Sequence, residues 1–170
     1  MLLCAGCGEQ GCNLPEPAAL QYAVRLVEDR TGQDLFAPGT GFLADSVRFY
    51  EVLPGGSLAL KAVAAQRTGR QTQFGPIRHQ PGTGSSRVPG SSGLGLTYTD
   101  VLVRLNRQDT DTLTLVVQST FRGGDECGQV LPARLQFYYN GRLNATYSVA
   151  TPDSLRAFTA PAVPVVELRK

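Results

Sequence analysis

The sequence predicts an all-β domain: an antiparallel two-sheet sandwich of seven or eight strands, immunoglobulin-like or transthyretin-like, with a partly open β-barrel as the alternative. Three observations predict it. Apolar side chains recur at every second position in one segment after another. Gly-, Pro- and Asn-rich turns separate those segments. No stretch with helical periodicity is long enough to supply the crossovers of a parallel sheet. At 170 residues, 42% of them hydrophobic, the chain can bury one core without help from metals or disulfides. Residues 1–19 read as an N-terminal tail or tether and 20–170 as a single sandwich domain.

The first strand places Tyr22, Val24 and Leu26 on one face and Ala23, Arg25 and Val27 on the other. Thr31-Gly32-Gln33 turns the chain, Leu35-Phe36 returns it toward the core, and Pro38-Gly39-Thr40-Gly41 is a second turn. Residues 46–53 form the second strand, with Val47 and Phe49 opposed to Arg48, Tyr50 and Val52. After Pro54-Gly55-Gly56-Ser57, the residues Leu58, Leu60, Ala62 and Ala64 alternate, so 46–64 reads as a hairpin. A helix over 58–67 is the competing reading, since Ala and Leu favour one. Phe74 to Ile77 is a short apolar patch. Ten of the sixteen residues in 78–93 are Gly, Ser or Pro, which leaves little side chain to bury and predicts a long hairpin loop.

Leu94, Leu96 and Tyr98 alternate, then Val101, Val103 and Leu105 take the opposite parity. The shift at Thr99-Asp100 predicts a bulge or a crossing between sheets. Asn106-Arg107-Gln108-Asp109 turns into a β-branched strand with Leu113, Leu115 and Val117 inward. A strand over 134–139 follows, then Asn140-Gly141, a type I′ turn signal, then Leu143, Ala145 and Tyr147. Pro164 marks the last strand, 163–168, as an edge. Residues 152–160 are expected to hold one short helical turn.

Charge and motifs exclude several functions. The net charge is +2, and since Lys61 and Lys170 are the only lysines, the other basic residues are scattered Arg with no dense run to track phosphates. No nucleic-acid partner is expected. The Gly-rich 78–93 stretch has neither the Rossmann nor the P-loop spacing. His79, the one histidine, reads as a loop residue with Ser85 and Ser86 as solvent-facing neighbours, so no Ser–His pair is expected. Asp109-Thr110-Asp111 offers oxygens to calcium but lacks the Gly and closing Glu of an EF-hand loop. The sequon Asn144-Ala145-Thr146 reads as a plain strand after a turn. No catalytic residue, cofactor or metal is expected; an enzyme of unknown class is a further alternative, and it would need His79 within about 3 Å of a nucleophile.

The cysteines are Cys4, Cys7, Cys12 and Cys127. Cys4-x2-Cys7-x4-Cys12 with Cys127 could form a Cys4-type zinc site, although Cys127 stands without a close partner. The start Leu2-Leu3-Cys4-Ala5-Gly6-Cys7 resembles the end of a bacterial lipoprotein signal, with Cys4 where Leu is usual. With it, the strand 22–27 followed by Thr31-Gly32 and the late Tyr138-Tyr139-Asn140-Gly141 resemble small uncharacterised lipoproteins of Bacteroidota-type bacteria. That resemblance implies a lipid anchor on Cys7, a translation start upstream of Met1, and a place in the bacterial cell envelope, at the outer membrane or in the periplasm. A cytoplasmic protein is the alternative. With export, Cys7 taken by lipid and Cys4 removed with the signal, Cys12 and Cys127 are the expected disulfide. Such a bridge would stabilise by about 5 kcal/mol through the unfolded chain's lost entropy.

The expected function is a non-catalytic envelope domain with a structural or protein-interaction role, its partner another envelope protein. A glycan or small-solute binding module is the alternative, with Tyr50, Tyr98, Phe121 and Tyr138 as its candidate surface. Three outward-facing aromatics in one shallow patch would favour a binding module, and buried aromatics a scaffold.

Overall fold

The computed structural model describes residues 19–79, 85–86, 94–122, 129–149, 158 and 163–170. They build β1 (Leu20–Val27), a single 3-10 turn (Ala44–Ser46), β2 (Arg48–Val52), β3 (Leu58–Lys61), β4 (Ala64–Thr68) and β5 (Gln71–His79). The chain continues through β6 (Ser85–Ser86), β7 (Leu94–Arg104), β8 (Thr110–Arg122), β9 (Gln129–Tyr139), β10 (Arg142–Ser148) and β11 (Val165–Arg169). They form a two-sheet sandwich. One sheet has the order β11-β1-β5-β4, and the other runs β10-β9-β8-β7-β2-β3 with the short β6 pairing on β7. The sheets do not close into a barrel.

Alternation puts one side of each sheet in the core. Leu20, Tyr22, Val24 and Leu26 of β1 meet Phe74 and Ile77 of β5 on the small sheet's inner face. Phe49, Val101, Val103, Leu113, Leu115, Val117, Leu135 and Phe137 form the facing layer. Rings bridge the layers: Tyr22 meets Phe137 edge-on with centroids 4.9 Å apart, and Phe49 meets Phe74 at 5.6 Å. Phe137 continues to Tyr147 at 5.8 Å, and Tyr147 to Phe158 at 5.3 Å. Edge-on contacts align the positive ring edge with the negative ring face and add to the area buried.

The structure has more strands than the seven or eight expected, for three local reasons. Residues 58–68 make two strands, because the chain crosses between sheets at 62–63, so β3 and β4 belong to different sheets. The predicted hairpin is β2–β3, with Val52 opposite Leu58, and no helix forms over 58–67. The Phe74–Ile77 patch is the middle of a nine-residue strand, β5. Two residues of the expected 78–93 loop pair with Tyr98 and Thr97 as β6.

Other differences concern register. β7 pairs with β8 without interruption from Leu94↔Thr120 to Arg104↔Thr110, so the bulge or crossing expected at Thr99-Asp100 is absent. The buried residues of β7 are Thr99, Val101 and Val103, and Leu96 and Tyr98 simply stand on the other face. β9 begins earlier than expected and contains Pro132, tolerated at a register shift beyond the reach of β10. β11 is an edge strand, as Pro164 predicts, but it pairs with β1 in parallel. The chain's helical turn expected over 152–160 lies outside the described residues except at Phe158.

β1 and β5 pack too closely for a side chain at one point. A Cβ on Gly75 would lie 2.7 Å from the Cβ of Ala23, beside the register shift between Tyr22 and Val24. Gly75→Ala is therefore expected to lower stability by about 1–3 kcal/mol through overpacking. Phe137→Ala, at a fully buried bridge between the sheets, is expected to cost about 3–5 kcal/mol. Urea unfolding monitored by circular dichroism measures both.

Candidate functional site

The outward parity of β7, β8 and β9 builds the candidate site. Tyr98, Val116 and Gln136 stand in one cross-strand row, and Asp100, Thr114 and Tyr138 in the next. The row after that, Leu102 with Thr112, continues to β2, where Tyr50 lies opposite Leu102. Tyr50, Tyr98 and Tyr138 therefore share the outer face of the six-stranded sheet, each half-buried. Tyr98 and Tyr138 are two strands apart and one row offset, a separation of about 12 Å between Cα atoms on ideal sheet spacings. Between them is a shallow hollow of about 290 Å³ lined by Leu96, Tyr98, Thr114, Val116, Gln136 and Tyr138. Val116 at its floor is only 6% exposed although it faces away from the core.

Polar groups are fixed around this hollow. The Thr114 hydroxyl donates to Asp100 Oδ1 at 2.5 Å. Away from the hollow on the same face, the Arg104 guanidinium lies 5.4 Å from the Tyr50 ring centre, where it meets the electron-rich face. Beyond the tyrosines the same face carries exposed leucines. Leu60 pairs with Tyr50 on β3, Leu58 with Val52, and Leu143 with Tyr138 on β10. Leu60 is 63% exposed. The side chain of Phe121, the fourth aromatic candidate, lies outside the described residues.

Sequence alternation identified the three tyrosines but read Leu96 and Tyr98 as one side of a broken strand. The signal that separates the two readings is pairing. An unbroken β7–β8 ladder forces Tyr98 to the face opposite Val101.

The titratable clusters elsewhere are structural. Asp111 is buried and accepts from the Tyr139 hydroxyl at 2.6 Å, Asn140 Nδ2 at 2.7 Å and Lys170 Nζ. Asp109 takes the same ammonium at 2.7 Å. Burial pushes the Asp111 carboxyl up, but its three hydrogen-bond donors outweigh that and hold it below the ordinary range. The carboxylates proposed for calcium thus hold the C-terminal lysine. Asn144 Nδ2, the sequon amide, donates to the carbonyl of Glu167. Among the described residues no three His, Cys, Asp or Glu side chains are grouped to hold a metal.

His79 corrects the sequence reading. It ends β5 rather than lying in a loop, is 2% exposed, and its Nδ1 is 3.2 Å from the Thr99 hydroxyl. Thr99 is itself buried, and neither side chain lines the hollow or the other surface grooves described here. The pair is packed between the sheets. Burial lowers the His79 pKa to about 4, with Lys61 adding to the depression and Glu51 opposing it.

Cys4, Cys7, Cys12 and Cys127 all lie outside the described residues, so the lipid site, the Cys12–Cys127 pairing and the zinc alternative have no structural description. No described helix is long and apolar enough to cross a membrane. No protein-family model, curated protein or solved structure matches the chain.

The buried imidazole sets a pH dependence. Between its ordinary pKa of 6.5 and its folded value of about 4, the unfolded chain binds a proton that the folded chain refuses. Stability is therefore present above pH 6.5 and falls by about 3 kcal/mol as pH drops to 4. Urea midpoints measured across that range are expected to show the slope, and His79→Phe to remove it.

Proposed function

We propose that the chain is a non-catalytic binding domain of the bacterial cell envelope that contacts a protein partner through the outer face of its six-stranded sheet. The three tyrosines Tyr50, Tyr98 and Tyr138 on one face mark a binding module, and the observation that carries the protein reading is the exposed Leu58, Leu60 and Leu143 that continue that face. Tyrosines supply large contact area at small entropic cost and keep a hydroxyl for hydrogen bonding. The exposed Leu58, Leu60 and Leu143 extend the same face across the full width of the sheet, roughly 24 Å on ideal strand spacing. Such breadth suits a protein better than a sugar. Aliphatic side chains gain by excluding water from an apolar partner, and the chain has no Trp for sugar stacking.

The hollow between Tyr98 and Tyr138, with Gln136 and Thr114 at hand, favours a second reading: a glycan or small-solute site. The resemblance to lipoproteins supports a lipid anchor at Cys7 and, with export, a Cys12–Cys127 bridge.

A photo-cross-linking residue placed at Gln136 is expected to capture one envelope protein, while the same residue at Val165, on the strand of the opposite sheet farthest from β4, captures none. Tyr98→Ser with Tyr138→Ser is expected to reduce the capture at least tenfold. Equal yields at the two positions would overturn the protein reading, and specific retention of an oligosaccharide by the wild type alone would establish the second. Intact-mass spectrometry of the native protein is expected to show a mature chain starting at lipidated Cys7. A chain starting at unmodified Met1 would exclude the anchor, and reactive thiols at both Cys12 and Cys127 would exclude the bridge.

A further inference from the structure

Among the described residues the small sheet has an open edge that the tyrosine face does not use. β4 is the end strand of its sheet, and all five of its residues are exposed. Two of them should not be. Ala65 and Arg67 stand opposite Phe74 and Thr72, which are buried, so their side chains are on the core-facing side. That side of β4 opens instead onto a groove of about 580 Å³, lined by Phe36, Phe42, Leu43, Asp45, Ala65 and Arg67 among others. Its floor is the uncovered end of the core. Phe42 packs edge-on against Phe36 at 6.3 Å, and Phe36 against Phe74 at 5.0 Å. Leu43 on the far wall is 71% exposed.

The backbone of β4 is also half used. Gly69-Arg70 is a two-residue hairpin loop between the paired Thr68 and Gln71. The residues flanking such a loop exchange hydrogen bonds, and alternation then turns Ala64, Gln66 and Thr68 toward β5. The N–H and C=O of Ala65 and Arg67 point to the free edge. The other flank of the sandwich is closed, because Asn144 of β10 donates to the Glu167 carbonyl of β11. Edge strands are commonly protected by proline, bulges or a cover. β4 has no proline and its pairing with β5 has no register shift.

Charge narrows the occupant. Arg67 on one wall has no ion pair among the described residues. We propose that β4 is a docking edge for an extended peptide segment of a partner protein, which adds as a further strand. The segment places a carboxylate opposite Arg67 and an apolar side chain opposite Ala65, over Phe42 and Leu43. Strand addition supplies affinity through the main chain and selectivity through alternate side chains. A second copy of β4 suits the edge poorly. It has no carboxylate to set opposite Arg67 and offers only alanine to the exposed phenylalanine and leucine.

The probe is a capped, fluorescent octapeptide, Thr-Thr-Val-Thr-Glu-Thr-Val-Thr, titrated against the full chain. Saturable binding is expected, at least tenfold weaker when the peptide's edge-facing amides are N-methylated, a change that leaves the protein untouched. Ala65→Pro removes an N–H that β5 does not use and is expected to weaken binding as strongly with an unchanged circular dichroism spectrum. Arg67→Glu is expected to prefer the peptide with Lys in place of Glu. Tyr98→Ser with Tyr138→Ser is expected to bind the peptide like the wild type, which separates this edge from the tyrosine face. No saturable binding, or binding indifferent to N-methylation, overturns the proposal. So does a wild-type dimer in sedimentation that Ala65→Pro dissociates, since the edge would then belong to a second copy.

Discussion

The architecture depends on ring contacts that cross between the two inner faces. Tyr22 from the small sheet lies against Phe137 from the large one, and Phe74 against Phe49. These are the bulkiest fully buried side chains of the domain. A slip of one residue in any of their strands would send a ring to solvent and bring its polar neighbour inside. Seating four rings therefore settles the register of β1, β2, β5 and β9 together. It also decides what points outward: with Phe137 inside, Tyr138 must face away, and with Phe49 inside, so must Tyr50. The candidate binding face is the geometric complement of the core.

The two flanks of the sandwich are closed differently. On one, the last strand returns to lie parallel to the first, and Arg25 of β1 pairs with Glu167 of β11 across nearly the whole chain. The Lys170 ammonium, held by Asp109 and Asp111, anchors the end of that strand beneath the β7–β8 turn. These contacts join residues far apart in the chain. On the other flank a single run of chain passes from one sheet to the other at 62–63. The crossing leaves β4 beside the 42–46 segment, with its outer edge unpaired among the described residues. One flank is thus locked and the other available.

Much of the fold was legible in side-chain alternation. The strands 22–27, 46–53, 134–139 and 143–147, the Asn140-Gly141 turn and the edge character of the last strand all follow from local pattern, because a strand with one wet and one dry face must alternate. Three places show where local pattern failed. Leu96 is apolar yet faces outward, so its parity imitated a core position and suggested a break where β7 is continuous. His79 sits among Gly, Pro and Ser, so it read as a loop residue, although its ring is packed between the sheets against Thr99. Ala62 and Val63 lie in a run of small apolar residues in which nothing marks the change of sheet. Of the candidate site, the tyrosines were visible as candidates, but their convergence on one face was not, nor were Val116 and Gln136 between them.

The sequence by itself determined that the domain is all β, since alternation and turn chemistry act over a few neighbouring residues, and it left a sandwich and a partly open barrel as the two ways to bury the apolar faces. Only the tertiary structure decided which strands became neighbours, which tyrosines gathered into one surface and which edge stayed unpaired. Those outcomes depend on residues far apart in the chain, such as Tyr98, Val116 and Gln136, meeting across strands. No local spacing encodes such meetings, because they are set by how the two sheets share one core.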